Sequence, residues 1–405
     1  MKRVPRFLLK GLLVATLAAF AALPDDAQAE YVIGVAAPGQ GPHAQIGRSI
    51  RNGAALALEI AEDSGKFGEV RLSIRSVDDA GSPKEVAERI AKFVRDEMAI
   101  LVIGPTLSMH AEAAADLANH AKFPLLAPGT SEGINATGRW AFRVSMSPYR
   151  TIQALAAAAM AAGSGKKLAL LHMQGNRGYA SQAAEFRVAA ERAGASLALE
   201  LPVNVESDFV EGAAKAIRDS GADVVFFALD AEPGAAIARA LDARATAGDS
   251  PATGPEGKPQ GKPTAAKPRL VFPPAAAQPA LVRIGGAAVE GALTAADYLA
   301  ESATPENAGF RNAYRARYGA EADNWAGLGF AAGQLAAEAV RNAGPAPDWE
   351  TMRTALERVN NLPLLLGAGP WRQDALRNPT YAPQLYEVRQ GKLVPMVPKA
   401  PAAKP

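Results

Sequence analysis

Short apolar runs alternate with longer amphipathic segments along most of this chain. Tyr31–Ala36 reads as a strand, and Ile46–Asp63 follows it with Ile50, Ala54, Ala57, Leu58 and Ala61 on one helical face. Val70–Val77 alternates as a strand does. Pro83–Glu97 predicts a helix, with Ser82 as N-cap and Pro83 at the first position. Strand Ile100–Ile103, helix Ser108–Lys122 and strands Pro124–Ala127 and Phe142–Ser145 complete this series.

The same rhythm restarts after Pro148. Helices Thr151–Ala162, Ser181–Ala193, Phe209–Ser220 and Gly234–Ala245 alternate with strands Leu168–His172, Leu197–Val203 and Val224–Ala228. Strand Gly291–Tyr298, helices Pro305–Tyr318, Trp325–Asn342 and Asp348–Asn360, and a hairpin of Leu385–Arg389 and Leu393–Met396 around Gly391 come later. Strands alternating with helices predict parallel sheets covered on both faces. The expected fold class is α/β, with two doubly wound parallel-sheet lobes. No short-period repeat points to a solenoid.

Two segments break the pattern. Residues 246–280 hold the Pro/Gly/Lys-rich run Gly248–Pro263 and few apolar positions before Leu270. Such a stretch buries too little surface to offset its chain entropy. It is expected to be a disordered insertion, with a partner-binding segment as the functional alternative. The tail 398–405 is expected to be disordered as well.

The N-terminus is of another kind. Lys2, Arg3, Arg6 and Lys10 precede an apolar run from Gly11 to Leu23, and Ala27-Gln28-Ala29 follows. That order is a secretory signal peptide, expected at 1–29 with cleavage after Ala29. The run of about 13 residues is short of the roughly 20 that span a bilayer. Periplasmic export is the expectation, with no membrane-embedded segment in the mature chain. The absence of cysteine excludes disulfides and thiolate chemistry. Without the leader's four bases and its two acids, Asp25 and Asp26, the charges balance. A nucleic-acid partner would want a basic excess, so none is expected.

Motifs for chemistry are weak. Gly39-Gln-Gly41-Pro-His-Ala44 imitates a dinucleotide fingerprint, but Pro42 removes a donor and no acid ends a second strand at the right distance. Gly163-Ser-Gly-Lys166 lacks the first glycine of a phosphate loop and follows a helix rather than a strand. His110 and His120 lie roughly 15 Å apart along one helix and cannot share a metal. No catalytic residue, metal or cofactor is expected. What remains is loops at strand C-termini, where open α/β sheets bind ligands. Ser108 opens a helix, a ready carboxylate site or a plain N-cap. Leu107 stands beside it. Gly129, Thr130 and Ser131 lie in the next loop, a second set of donors or a plain turn.

The order of these pieces resembles one family. Ile33-Gly-Val-Ala-Ala-Pro38, Gly41-Pro-His-Ala-Gln-Ile-Gly47, Asp78-Asp79-Ala-Gly-Ser-Pro-Lys, Val102-Ile-Gly-Pro with Ser108, Pro128-Gly-Thr-Ser, Phe142-Arg143 and Asn176-Arg-Gly-Tyr179 are similar to the branched-chain amino-acid-binding proteins of ABC transporters. The resemblance implies a type I periplasmic binding fold with three crossovers. It places lobe one at 30–147 and 294–366 and lobe two at 148–293 and 367–397. It implies that Ser108 and Ser131 hold a ligand carboxylate, that the Gly129 carbonyl accepts from an ammonium, and that Tyr179 closes from the second lobe. His43 stands where the family often has tyrosine. Phe330 stands where an aromatic lines the pocket, or it is simply core. The family's usual second-lobe acid is missing from Leu270-Val-Phe-Pro-Pro274; either Asp230, one loop earlier, substitutes for it, or the ligand lacks a charged amine. The implied partners are a small-molecule ligand, an amino acid or other carboxylate, and ABC permease subunits. A monomer is expected. A sensory protein acting through a receptor is the alternative.

Overall fold

The structure, a computed structural model, describes residues 30–41, 43–67, 70–129, 131–161, 167–247, 267–298, 300, 305–367 and 369–396. The leader at 1–29 and the tail at 398–405 lie outside them. Two sheets organise these residues. The first has strand order β2-β1-β3-β4-β5, with β1 Glu30–Ala37, β2 Arg71–Asp78, β3 Leu101–Ile103, β4 Leu125–Ala127 and β5 Ala141–Arg143, all parallel. The second has order β12-β11-β10-β9-β8-β6-β7. Its strands are β6 Lys167–Met173, β7 Ser196–Val203, β8 Val224–Ala228, β9 Arg269–Val271, β10 Leu293–Ala296, β11 Gln384–Arg389 and β12 Lys392–Pro395. β6 to β10 run parallel, and the hairpin expected around Gly391 joins β11 to β12 and adds antiparallel to β10. This is the doubly wound two-lobed α/β fold that the periodicity predicts.

The central strands of each sheet are buried and apolar on both sides because helices cover both sides. Phe226 and Phe227 on β8 show the consequence. Phe226 stacks on Phe186 with ring centroids 4.3 Å apart, and Phe227 stacks on Phe272 at 4.9 Å, on the opposite face. In the first lobe, helices Ala44–Asp63 and Asn324–Ala343 pack backbone to backbone. A Cβ on Gly53 would fall 2.1 Å from the Ala326 carbonyl oxygen, and one on Gly329 would fall 2.2 Å from that of Ile50. Only glycine permits that approach. Ser82 and Glu85 form the capping box of helix Pro83–Asp96, as the sequence predicts for Ser82.

Three expectations shift. Strand β9 lies inside the segment expected to be disordered, hydrogen-bonded between β8 and β10, with Leu270, Val271 and Phe272 buried. Three consecutive apolar residues at a sheet centre outweigh their Pro-rich surroundings. Residues 248–266 lie outside the described residues. The second crossover follows β10, at Asp297 rather than at 293–294, because β10 belongs to the second sheet. The third falls after Tyr381 rather than at 366–367. Trp371 and Tyr381 are buried in the first lobe's core, and Trp371 Nε1 donates to the Val144 carbonyl at 3.2 Å. The chain therefore stays on the first lobe until it enters β11.

Candidate functional site

The C-terminal ends of the first lobe's strands surround a cleft of about 470 Å³. β1 delivers Pro38, Gln40, Gly41 and His43; β2 delivers Asp79, Ala80 and Gly81; β3 delivers Leu107 and His110. All of this lining comes from the first lobe.

Asp78 builds the rim. Its carboxylate accepts from the Gly39 N–H at 2.8 Å, the Ala80 N–H at 3.1 Å and Gln40 Nε2 at 3.2 Å. Arg89 donates to the Asp78 carbonyl at 3.0 Å and to that of Ala80. Burial would push the Asp78 carboxyl up, but these bonds and the Arg89 charge outweigh it and hold it below the ordinary carboxylate range.

Behind the rim runs the loop after β3. Gly104 has φ +98°, and a Cβ there would fall 2.0 Å from the Ala36 carbonyl oxygen. The loop thus lies directly on β1. Helix Ser108–Ala121 follows, with Leu107 as its N-cap in extended conformation and no side-chain cap. The sequence assigned Ser108 to the first position or the cap; the structure makes it the first helical residue. The described residues therefore leave this helix terminus without a capping side chain, and its donors are available to an anion. Of Ser108 itself the structure describes only the backbone, and Thr130 lies outside the described residues.

The neighbouring loop is in contact with this one. Gly129 is buried, and a Cβ on it would stand 3.2 Å from the Thr106 carbonyl oxygen. The Ser131 hydroxyl is engaged locally. It donates to the Glu112 carboxylate and accepts from the Gly133 N–H at 3.2 Å, capping the short 3₁₀ helix Glu132–Asn135. Phe330 is a core residue: it is 6% exposed, and its ring lies 4.6 Å from that of Phe310. It is not part of the cleft lining, so the core alternative is the one observed.

The second lobe brings two expected residues together. Asn176 caps helix Arg177–Arg192 by accepting from the Tyr179 N–H at 3.1 Å, which fixes the Tyr179 ring at the helix start. The Tyr179 hydroxyl donates to Asp230, an exposed residue just beyond β8. Burial, then this bond and the Asp230 charge, push the phenol well above its ordinary range, so it remains a donor.

Sequence reasoning missed Asp79 and His110. Asp79 is fully buried, and among the described residues neither carboxylate oxygen has a hydrogen-bond partner. Burial, then the Asp78 charge beside it, push its carboxyl up to about 6. His110 is 9% exposed, and its Nδ1 has no partner either. The Asp78-Asp79 doublet at a strand end was the available signal: one carboxylate suffices for the rim, and the second has no local task. Among the described residues no group of three or more His, Cys, Asp or Glu is placed to hold a metal ion, and no helix is long and apolar enough to cross a membrane.

Known proteins share this fold. A leucine-binding protein of Thermotoga maritima superposes with a TM-score of 0.70 at 20% identity, over 91% of this chain and 98% of that one. A solute-binding protein of an ABC transporter from R. palustris, solved with benzoate, gives 0.70 at 21% identity over 91% and 95%. Both likenesses concern the fold. In sequence, a Leu/Ile/Val-binding protein homologue of Brucella melitensis is 26% identical over 223 residues, 54% of this chain and 60% of that protein. Matches to two further sequence relatives span 33% and 26% of their lengths. The family model described as periplasmic binding protein matches residues 30–392, and the chain belongs to that family.

Proposed function

We propose that this protein is the periplasmic solute-binding component of an ABC importer, and that it captures a small carboxylate between its two lobes. The observation that carries this reading is the uncapped terminus of helix Ser108–Ala121 at the edge of the first-lobe cleft. The helix dipole and unsatisfied N–H groups there favour an anion. In this reading the Ser108 hydroxyl and the loop of Gly129, Thr130 and Ser131 supply further donors, the Ser131 hydroxyl once it leaves the Glu112 carboxylate. Tyr179 and Asp230 approach from the second lobe when it closes, a hinge motion of two rigid lobes. Structural neighbours were solved with Leu, isoleucine, benzoate and 4-hydroxybenzoate, all of which are carboxylates. Export rests on the leader and on the family.

A thermal-shift screen of amino acids and organic acids tests this. A ligand that binds only the native state raises the melting temperature. At least one small carboxylate should do so, and Ser108→Ala should weaken it by roughly 1–3 kcal/mol, the cost of leaving a charged partner short of a bond. A broad panel with no stabilising member sinks the proposal.

A further inference from the structure

Two adjacent carboxylates at the end of β2 have opposite fates. Asp78 accepts three hydrogen bonds and closes the rim. Asp79 borders the cleft, is shut off from bulk solvent and has no donor among the described residues. An unpaired carboxylate in such a place is expensive. Arg89 and Arg51 moderate the cost by their charge but give it no hydrogen bond: Arg89 donates to the backbone carbonyls of Asp78 and Ala80, and Arg51 donates to that of Pro38 at 3.5 Å. His110, also on the cleft, lies against the Gly81 backbone and leaves its Nδ1 without a partner; in the tautomer that carries the proton on Nε2, that nitrogen is an acceptor. Burial first, then the Arg89 and His43 charges, hold its pKa below the ordinary histidine range. The buried Thr106 hydroxyl, one residue before the lining Leu107, is unpartnered as well. Among the unpartnered buried side-chain atoms of the described residues here, the two Asp79 oxygens and His110 Nδ1 are acceptors, and the Thr106 hydroxyl is the single donor.

We infer that Asp79 and His110 form an acceptor subsite for a hydrogen-bond donor of the captured solute, an ammonium or hydroxyl group on the molecule whose carboxylate sits at the neighbouring helix terminus. This rests on the solute-binding reading above and sharpens it. A bare carboxylate leaves Asp79 unpaired and binds worse than a relative carrying a donor. Selectivity arises because a site built to pair a donor rejects the analogue that lacks it.

The test is calorimetry on the mature protein with two matched pairs: leucine against 4-methylpentanoate for an ammonium, and 4-hydroxybenzoate against benzoate for a hydroxyl. The wild type should bind the donor-bearing member of one pair at least about tenfold more tightly, and Asp79→Asn should shrink that preference by about tenfold. The pair that shows it identifies the donor. His110→Gln should reduce the same preference without abolishing binding. Melting of the ligand-free Asp79→Asn protein is measured alongside: relieved of its unpaired charge, it should melt at or above the wild type. A lower melting point, or failure to fold, means the carboxylate is structural and overturns the inference. Binding with equal affinity within both pairs, or a preference untouched by Asp79→Asn, overturns it while leaving solute binding intact. Silence of the whole panel toward the wild type removes the solute-binding reading, and the subsite falls with it.

Discussion

The Tyr381 hydroxyl donates to Asp297 Oδ1 at 2.8 Å and at the same time accepts from the Met146 N–H at 2.8 Å. Met146 lies just beyond β5, Asp297 just beyond β10 and Tyr381 just before β11. One buried phenol therefore ties together the three places where the chain passes between lobes. The backbone reinforces it: the Gly367 N–H donates to the Asp297 carbonyl at 2.7 Å. Nearby, the buried Arg143 guanidinium donates to the Ser131 carbonyl at 3.1 Å and to Asn378 Oδ1 at 2.8 Å, which links this pivot to the loop after β4.

Tyr381→Phe should therefore cost more than a surface hydroxyl would. It leaves a buried amide and a carboxylate without their shared partner, a loss of about 1–3 kcal/mol. The denaturation midpoint should fall accordingly, with the slope unchanged. A midpoint equal to that of the wild type would show that the phenol is dispensable to the pivot.

Two raised carboxyls give a pH dependence with a definite sign. Asp79 and Asp297 are both pushed up to about 6, in each case first by burial. For Asp297 the bond from Tyr381, the nearby polar groups of Ser145 and Met146 and the Arg143 charge only moderate the rise. Unfolded, such groups titrate near 3.9. The folded state thus holds more protons between about pH 4 and about pH 6, and stability falls as pH rises through that window, then levels off. Asp78 and Asp374, held below the usual range, act oppositely and lower stability only as pH falls through their depressed values. Denaturant titrations of the wild type and Asp79→Asn should coincide near pH 4 and separate by roughly 2–3 kcal/mol above pH 6, with the variant more stable. A constant gap would assign the effect to something other than ionisation.

The fold was readable because its signals are local and repeated. Apolar runs such as Val224–Ala228 and amphipathic helices such as Ala44–Asp63 declare themselves by period. The lobe boundaries were not readable, because β10 and the Trp371–Tyr381 stretch are assigned to a lobe by long-range pairing and burial. Sheet order places the one, and Tyr381 bonds to residues remote in sequence place the other. The same holds at the site. His43, which the resemblance suggests, and Leu107, beside Ser108 at a strand end, line the cleft, whereas Asp79 stands out only once its neighbour Asp78 is seen to take all the local donors.

Gly104→Ala probes the loop that carries the proposed anion site. Alanine there meets both a φ of +98° and the Ala36 carbonyl oxygen at 2.0 Å, and that oxygen is backbone and cannot turn aside. Destabilisation on the order of 3 kcal/mol is expected, with loss of ligand affinity because helix Ser108–Ala121 is displaced. Gly41→Ala is the control: its φ of +73° carries the strain, but no atom lies within 4 Å of the added carbon. The Gly104 variant should be the more damaged of the two in both melting temperature and binding.

If the second lobe closes over the ligand as proposed, the Tyr179–Asp230 pair separates two ligand chemistries. The phenol's single proton is committed to Asp230, so the carboxylate is oriented while its second oxygen stays available. A ligand ammonium meeting that carboxylate in the closed form gains a charge-assisted bond, about twice as strong as a neutral one. Asp230→Asn should then weaken an amine-bearing ligand by roughly 1.5–3 kcal/mol. Tyr179→Phe should weaken it less, because the acid remains but is free to rotate. A ligand without an amine gains nothing from Asp230, and its affinity should be unchanged in the first variant. Calorimetry of both variants with leucine and with benzoate reads this directly. Equal losses for the two ligands would place Asp230 in lobe closure rather than in recognition of the amine.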